Sequence, residues 1–181
     1  MKIFAALIIF TATTIVVSGC SRFDIKDYHN NQPKLNPVTF FNGSLSAHGV
    51  VKNRGGKVIR YFNADIKAHW QNNIGTLEEK FIFDDGEIQY RTWKLQPTSS
   101  TETQLNYTAT AGDVIGTAQG KVAGNAFNLN YVLAVKYNKS TFNLSVDDWM
   151  WLVDDKTLLN ESELTKFGFK VGSIQLVINK H

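Results

Sequence analysis

The chain is predicted to be all-β, with about ten antiparallel strands in an up-and-down meander that closes into a barrel. Three observations predict this. Apolar and polar residues alternate with period two through most of residues 39–181, the pattern of half-buried strands. The alternating runs are separated by short clusters of Gly, Asn and Asp suited to hairpins. No stretch of ten or more residues in that region carries a helical period.

The first element is an address. Met1-Lys2 is a short basic start, and Ile3 to Val17 is almost wholly apolar. That run is shorter than the roughly 20 residues a spanning helix needs. It ends in Val17-Ser18-Gly19-Cys20, which resembles the lipobox of bacterial lipoproteins: an aliphatic residue, two small ones, then the cysteine that carries the diacylglycerol. Residues 1–19 are therefore expected to be a lipoprotein signal peptide, and Cys20 the lipidated residue of an envelope protein held to a bilayer. Ser21 replaces the aspartate that retains lipoproteins in the inner membrane of enteric bacteria. The expected location is thus the outer membrane, facing the periplasm. Residues 20–38 are polar, contain Pro33 and Pro37, and read as a tether reaching about 50–60 Å when extended. Phe23, Ile25 and Tyr28 could pack part of it on the domain.

The barrel domain is expected over 39–181. Leu45, Ala47, Gly49 and Val51 alternate with Ser44, Ser46 and His48. After the turn at Asn53 to Gly56, Val58, Phe62, Ala64, Ile66 and Ala68 share one face, and Asp65, Lys67 and His69 the other. Leu77, Phe81 and Phe83 continue the pattern up to the hairpin signal Asp84-Asp85-Gly86. Strands are expected near 87–95 and 102–110, about a turn at Pro97 to Ser100. Residues 111–125 hold four glycines and suggest bends or bulges. Four further strands follow over 127–137, 141–153, 157–165 and 173–179, with a short helical turn possible near Glu161 to Lys166. Closure into a barrel removes bare edges, so a lipocalin-like (calycin-like) barrel ranks above an open sandwich. The charged second face argues against a transmembrane barrel.

Composition excludes several classes. With 181 residues, 43% hydrophobic and 19% charged, the chain is an ordinary globular protein. A net charge of +3, evenly spread, does not make a nucleic-acid face. One cysteine excludes an internal disulfide, a multi-cysteine zinc site and a redox pair. The four histidines, His29, His48, His69 and His181, form no ligand motif, so no metal is expected. No nucleophile elbow, P-loop or dinucleotide fingerprint is present, so no cofactor is expected.

Several pieces carry a resemblance: Phe40-Phe41-Asn42-Gly43, Gly75-Thr76-Leu77-Glu78-Glu79, Asp84-Asp85-Gly86-Glu87, Asp113-Val114-Ile115-Gly116, Ala123-Gly124-Asn125-Ala126, Asp147-Asp148-Trp149-Met150 and Lys166-Phe167-Gly168-Phe169. From Lys34 onward the chain resembles the bacterial domain-of-unknown-function family 3833, a family of predicted lipoproteins. The resemblance carries no catalytic residues. What it implies is a link to lipids, through gene clusters that modify fatty acids.

The candidate chemistry lies on the inward faces. Asp84-Asp85 and Asp154-Asp155 sit at turns, where aspartate serves the backbone. Asp148 instead shares a strand face with Val146 and Met150, where a carboxylate must be paired, hydrogen-bonded or neutral. Arg60 shares a face with Phe62, Arg91 with Trp93, and Glu79 with Leu77 and Phe81. A guanidinium can clamp a carboxylate or phosphate head, and Trp93, Tyr131 and Trp149 could line an apolar pocket. The first reading is a barrel binding a small amphipathic ligand, such as a fatty acid or lipid, whose head meets Arg60 or Arg91. The second is an enzyme, with Glu79 or Asp148 as a proton-transfer base. The third is a structural or interaction lipoprotein with a filled core, in which the arginines pair with Glu79 and Asp148. The anchored membrane is the one partner the sequence names.

Overall fold

The computed structural model describes residues 23–137 and 140–181. The expected signal peptide, Cys20 and the Asn138-Lys139 turn lie outside the described residues. Ten antiparallel strands form one closed barrel in which each strand pairs with its neighbours in sequence and β1 pairs with β10. They are β1 (Gly43–Asn53), β2 (Val58–Gln71), β3 (Ile74–Phe83), β4 (Ile88–Ser100), β5 (Leu105–Thr110), β6 (Val114–Ala123), β7 (Ala126–Tyr137), β8 (Ser140–Leu152), β9 (Thr157–Lys166) and β10 (Phe169–Lys180). The expected meander is what forms. Every strand edge is paired within 43–180, so the barrel is complete without the first 22 residues.

Alternation fixes the two faces. Along β2, Phe62, Ala64, Ile66 and Ala68 are buried, while Tyr61, Asn63, Asp65 and Lys67 are exposed. The interior core gathers Leu45, Ala47, Ile66, Leu95, Tyr107, Phe127 and Leu158, among others. Burying a side chain of this size contributes about 1.5–3 kcal/mol.

Residues 24–42, the first part of which reads as a tether, lie against the barrel. A 3-10 turn (Ile25–Tyr28), capped by Asp24, buries Ile25. Its cluster includes Ala123, Ala126 and Trp149. The helix α1 (Pro37–Phe40) starts at Asn36, whose side chain accepts from Val38 N and Thr39 N. Leu35, Phe40 and Phe41 then join the interior core and close one end of the barrel. Trp70 Nε1 donates to Phe41 O at 2.8 Å, which fixes that lid.

Two local expectations differ from the fold and a third is met. β4 runs through Pro97, and the turn falls at 101–104. Proline is tolerated because the β4–β5 register shifts between Pro97 and Ser99, and a bulge does not need its missing N–H. The irregularity expected in the glycine-rich stretch is present: β6 runs through it, and its register breaks between Ile115 and Gln119, around Gly116 at φ 73°. Residues 161–166 are the end of β9, not a helical turn. There Leu158, Asn160, Ser162 and Leu164 are buried and alternate with exposed Leu159, Glu161 and Glu163.

Candidate functional site

The barrel interior retains a cavity of about 130 Å³, lined by Phe41, Phe62, Leu77, Phe81, Trp93, Tyr131 and further apolar side chains together with Glu79, Arg91, Asp148, Asn160 and Ser162. It is small. An engineered cavity of about 150 Å³ holds one benzene, and pockets for larger ligands run to roughly 300–1,000 Å³. A wider groove of about 580 Å³, lined by His48, Tyr61, Asn63, Ile82, Leu159 and Val177, is also present. It is open, and its polar residues His48, Asn63 and Asp84 are exposed. The interior is therefore the better candidate, because only there are ionisable groups held out of water.

Two pairs of strands bring the polar groups together. β3 and β4 set Glu79 directly opposite Arg91, and Leu77 opposite Trp93. β8 and β9 set Asp148 opposite Ser162, and Met150 opposite Asn160. Tyr131 reaches the same space from β7, its ring 5.3 Å from that of Trp93 in an edge-on contact.

Arg91 is already committed. Its Nε donates to both Asp113 carboxylate oxygens at 3.1 and 3.0 Å, and its Nη2 to Oδ2 at 2.6 Å. Asp148 Oδ1 accepts from Ser162 Oγ at 2.8 Å and from Asn160 Nδ2. Glu79 differs, since its Oε2 is buried without a hydrogen-bond partner. Burial pushes Glu79 up to about 7 against the pull of the Arg91 charge, with the Asp113 and Asp148 charges adding to the rise. Burial likewise raises Asp148 to about 6, opposed by its bonds to Asn160 and Ser162. Burial lifts the Tyr131 phenol well above its usual range, so it remains a neutral donor. Among the described residues, no three His, Cys, Asp or Glu side chains converge as metal ligands.

Five of the seven sequence candidates thus meet at one space: Glu79, Arg91, Trp93, Tyr131 and Asp148. Two do not. Arg60 stands near the barrel mouth, where its Nη2 pairs with Asp85 at 2.8 Å and Glu87 at 2.6 Å. Its guanidinium lies 3.7 Å from the centre of the Phe83 ring. It has the inward parity but sits too close to the end of β2 to reach the interior. Trp149 faces the outer wall, because it follows inward-facing Asp148 and successive strand residues point oppositely. It stacks on Trp151 at 5.9 Å and meets Tyr28 at 5.7 Å. The expected pairs of the arginines with Glu79 and Asp148 do not form: Arg91 is held by Asp113, and Arg60 by the exposed Asp85 and Glu87 at the mouth. Asp113, Asn160 and Ser162 were not singled out by sequence. Asn160 and Ser162 carried a signal, the alternation of Leu158 to Leu164. Asp113 stood out only as part of a family-like turn segment, with nothing to show that it meets Arg91.

A family model described as "Protein of unknown function (DUF3833)" matches residues 14–180. Among solved structures, the barrel is similar to the S-type phycobiliprotein lyase CPES from Guillardia theta. The TM-score is 0.61 and the identity 11%, over 83% of this chain and 94% of that one. That likeness bears on the fold, which is lipocalin-like. No curated protein matches the chain.

Proposed function

The chain belongs to the DUF3833 family of proteins of unknown function, and from that premise we propose an envelope lipoprotein, anchored through Cys20, whose barrel binds one small amphipathic ligand in its interior cavity. One observation carries the binding reading. An apolar interior keeps a space bordered by two buried carboxyls, and one carboxyl oxygen there has no partner. Leaving such an atom unpaired costs about 1–3 kcal/mol, and a ligand donor would recover it. The lipobox and Ser21 support a lipid anchor in the outer membrane, with the barrel on the periplasmic side.

The fatty-acid form of this reading has little support in the geometry. Arg91 and Arg60 are both held by carboxylates, and a long acyl chain exceeds a cavity of about 130 Å³. A compact polar end seated inside fits better, with any tail directed to the mouth.

The test is native mass spectrometry of the mature chain carrying Cys20→Ser, exported to the periplasm and then extracted with organic solvent. A reproducible adduct is expected. It should be lost in Ala109→Leu, which fills the cavity from β5, in a protein that keeps its β circular dichroism. A clean apo mass across independent preparations counts against the binding reading. Labelling with an alkyne palmitate analogue, abolished by Cys20→Ala, tests the anchor.

A second reading rests on Glu79 alone. A buried carboxyl near 7 in an apolar pocket is placed for proton transfer at neutral pH, with neutral Tyr131 as a neighbouring donor. In that case Glu79→Gln would abolish turnover of the extracted ligand while still binding it.

A further inference from the structure

We infer that the cavity selects a ligand whose polar end is a compact organic cation, an ammonium group on an apolar body, and disfavours carboxylate and phosphate heads. This rests on the proposal that the cavity is a ligand site, and names the chemistry of its ligand.

The charges on the cavity walls leave no excess of positive charge. β3 presents Glu79, β4 presents Arg91 and β8 presents Asp148, while the β5–β6 turn supplies Asp113 to Arg91. β7 adds the Tyr131 hydroxyl, and β9 the neutral Asn160 and Ser162. β2, β5 and β10 present only apolar side chains such as Phe62, Ala109 and Leu176. Arg91 and Asp113 neutralise each other in a two-pronged contact. What remains is Glu79 and Asp148, with a summed charge between zero and two negative. In no protonation state does the site hold the excess positive charge an anion needs. An anion would lose its water beside two carboxyls and meet no unpaired positive charge in exchange, only the neutral Tyr131 hydroxyl.

Hydrogen bonding and shape agree. The unpartnered atom, Glu79 Oε2, accepts once the carboxyl is ionised, and an ammonium N–H would satisfy it. The walls are aromatic, and ring faces attract cations. They already border one: the Arg91 guanidinium lies 5.7 Å from the Phe81 ring centre and 5.9 Å from that of Trp93. An ammonium head with one ring or a few carbons matches a cavity of about 130 Å³. Because a bound cation favours the ionised carboxyls, its binding releases protons, and its affinity rises as Asp148 ionises near 6 and Glu79 near 7.

Three probes that share a ring and differ in their heads test this: benzylammonium, benzyl alcohol and benzoate. Each is titrated calorimetrically into the mature Cys20→Ser chain at pH 5 and pH 8. At pH 8 benzylammonium should bind at least about tenfold more tightly than benzoate. That preference should shrink severalfold at pH 5, with proton release measurable from the buffer dependence of the heat. Glu79→Gln should weaken benzylammonium by a larger factor than benzyl alcohol, which loses no charge pairing. Asp148→Asn serves the same purpose should Glu79→Gln fail to fold. Benzoate binding as tightly as benzylammonium at pH 8 would overturn the head-group inference and leave the ligand site standing. A preference unmoved by pH and by either variant would also overturn it. No binding of any probe up to about 10 mM would remove the ligand site itself.

Discussion

Glu79 holds its proton because folding buries it, and stability must therefore fall as that proton leaves. Its folded value of about 7 stands above the ordinary 4.5, with burial as the largest cause. Between those values the folded state binds more protons than the unfolded chain, so stability declines as pH rises from about 4.5 through about 7. A shift of this size corresponds to a loss on the order of 3 kcal/mol. Asp148 adds a decline of the same sign, between 3.8 and about 6. Glu79→Gln removes the first contribution. Its urea midpoint should match the parent near pH 4.5 and exceed it at pH 8. Equal midpoints at both pH values would show that Glu79 is not held out of water in the folded protein. The residues of this site were legible where parity alone decided. Glu79, Arg91, Trp93, Tyr131 and Asp148 all fall on inward faces, and all line the cavity. Arg60 shows what parity lacks. Alternation tells which way a side chain points, not how far along the barrel axis it stands, and Arg60 stands at the end. Asp113 shows a second gap, since a turn residue has no face until the turn is folded over its partner.

At the level of elements, the decisive contact is between the N-terminal segment and the β6–β7 hairpin. Gly124 sits at φ 55°, and a Cβ there would lie 1.7 Å from Tyr28 O. The neighbouring amide of Leu35 donates to Gly124 O at 2.8 Å. The hairpin and the segment therefore fit only if residue 124 has no side chain. Gly124→Ala would add the left-handed backbone cost of about 1–2 kcal/mol and a clash with main chain that cannot swing aside. The expected result is undocking of residues 24–36 from a barrel that stays folded. Tryptophan emission should shift red as Trp149 and Trp151 lose Tyr28 and Ile25, and trypsin should cut faster after Lys26 and Lys34. Gly56→Ala is the control: φ is 82° there and no atom lies within 4 Å, so only the backbone cost applies. Unchanged proteolysis in Gly124→Ala would count against the docked segment. Elements were legible from sequence wherever a hairpin signal bounded a period-two run, as at Asp84-Asp85-Gly86. They were obscured where tertiary pairing overrode local preference. Pro97 and the glycines of β6 read as breaks because proline and glycine disfavour strand locally, and only the ladder to Tyr107 and to Leu129 and Leu133 holds them extended. The docked segment was obscured for the same reason, since its buried residues Ile25 and Leu35 follow no period of their own.

At the scale of the whole molecule, that docking sets how the barrel would stand on a membrane. With residues 20–38 free, the domain could range about 50–60 Å from its anchor. With the chain fixed from Asp24 onward, and the Phe23 ring 6.2 Å from that of Trp149, only Ser21 and Arg22 separate Cys20 from the barrel wall. Three Cα steps span at most about 11 Å. A lipid-anchored barrel would then rest against the bilayer surface, with the β8 wall near it. Neutron reflectometry of the acylated protein on a supported bilayer measures this directly. The expected profile places protein density in contact with the headgroups, with no water layer thicker than about 10 Å. A flexible Gly/Ser spacer of 15 residues between Arg22 and Phe23 should open a layer on the order of 20 Å. Gly124→Ala should open one as well, through the undocking of residues 24–36. A wide layer under the unaltered protein would mean that the segment releases at the membrane. A layer that fails to appear with the spacer would mean that the barrel wall itself, not the short leash, holds the protein to the lipid.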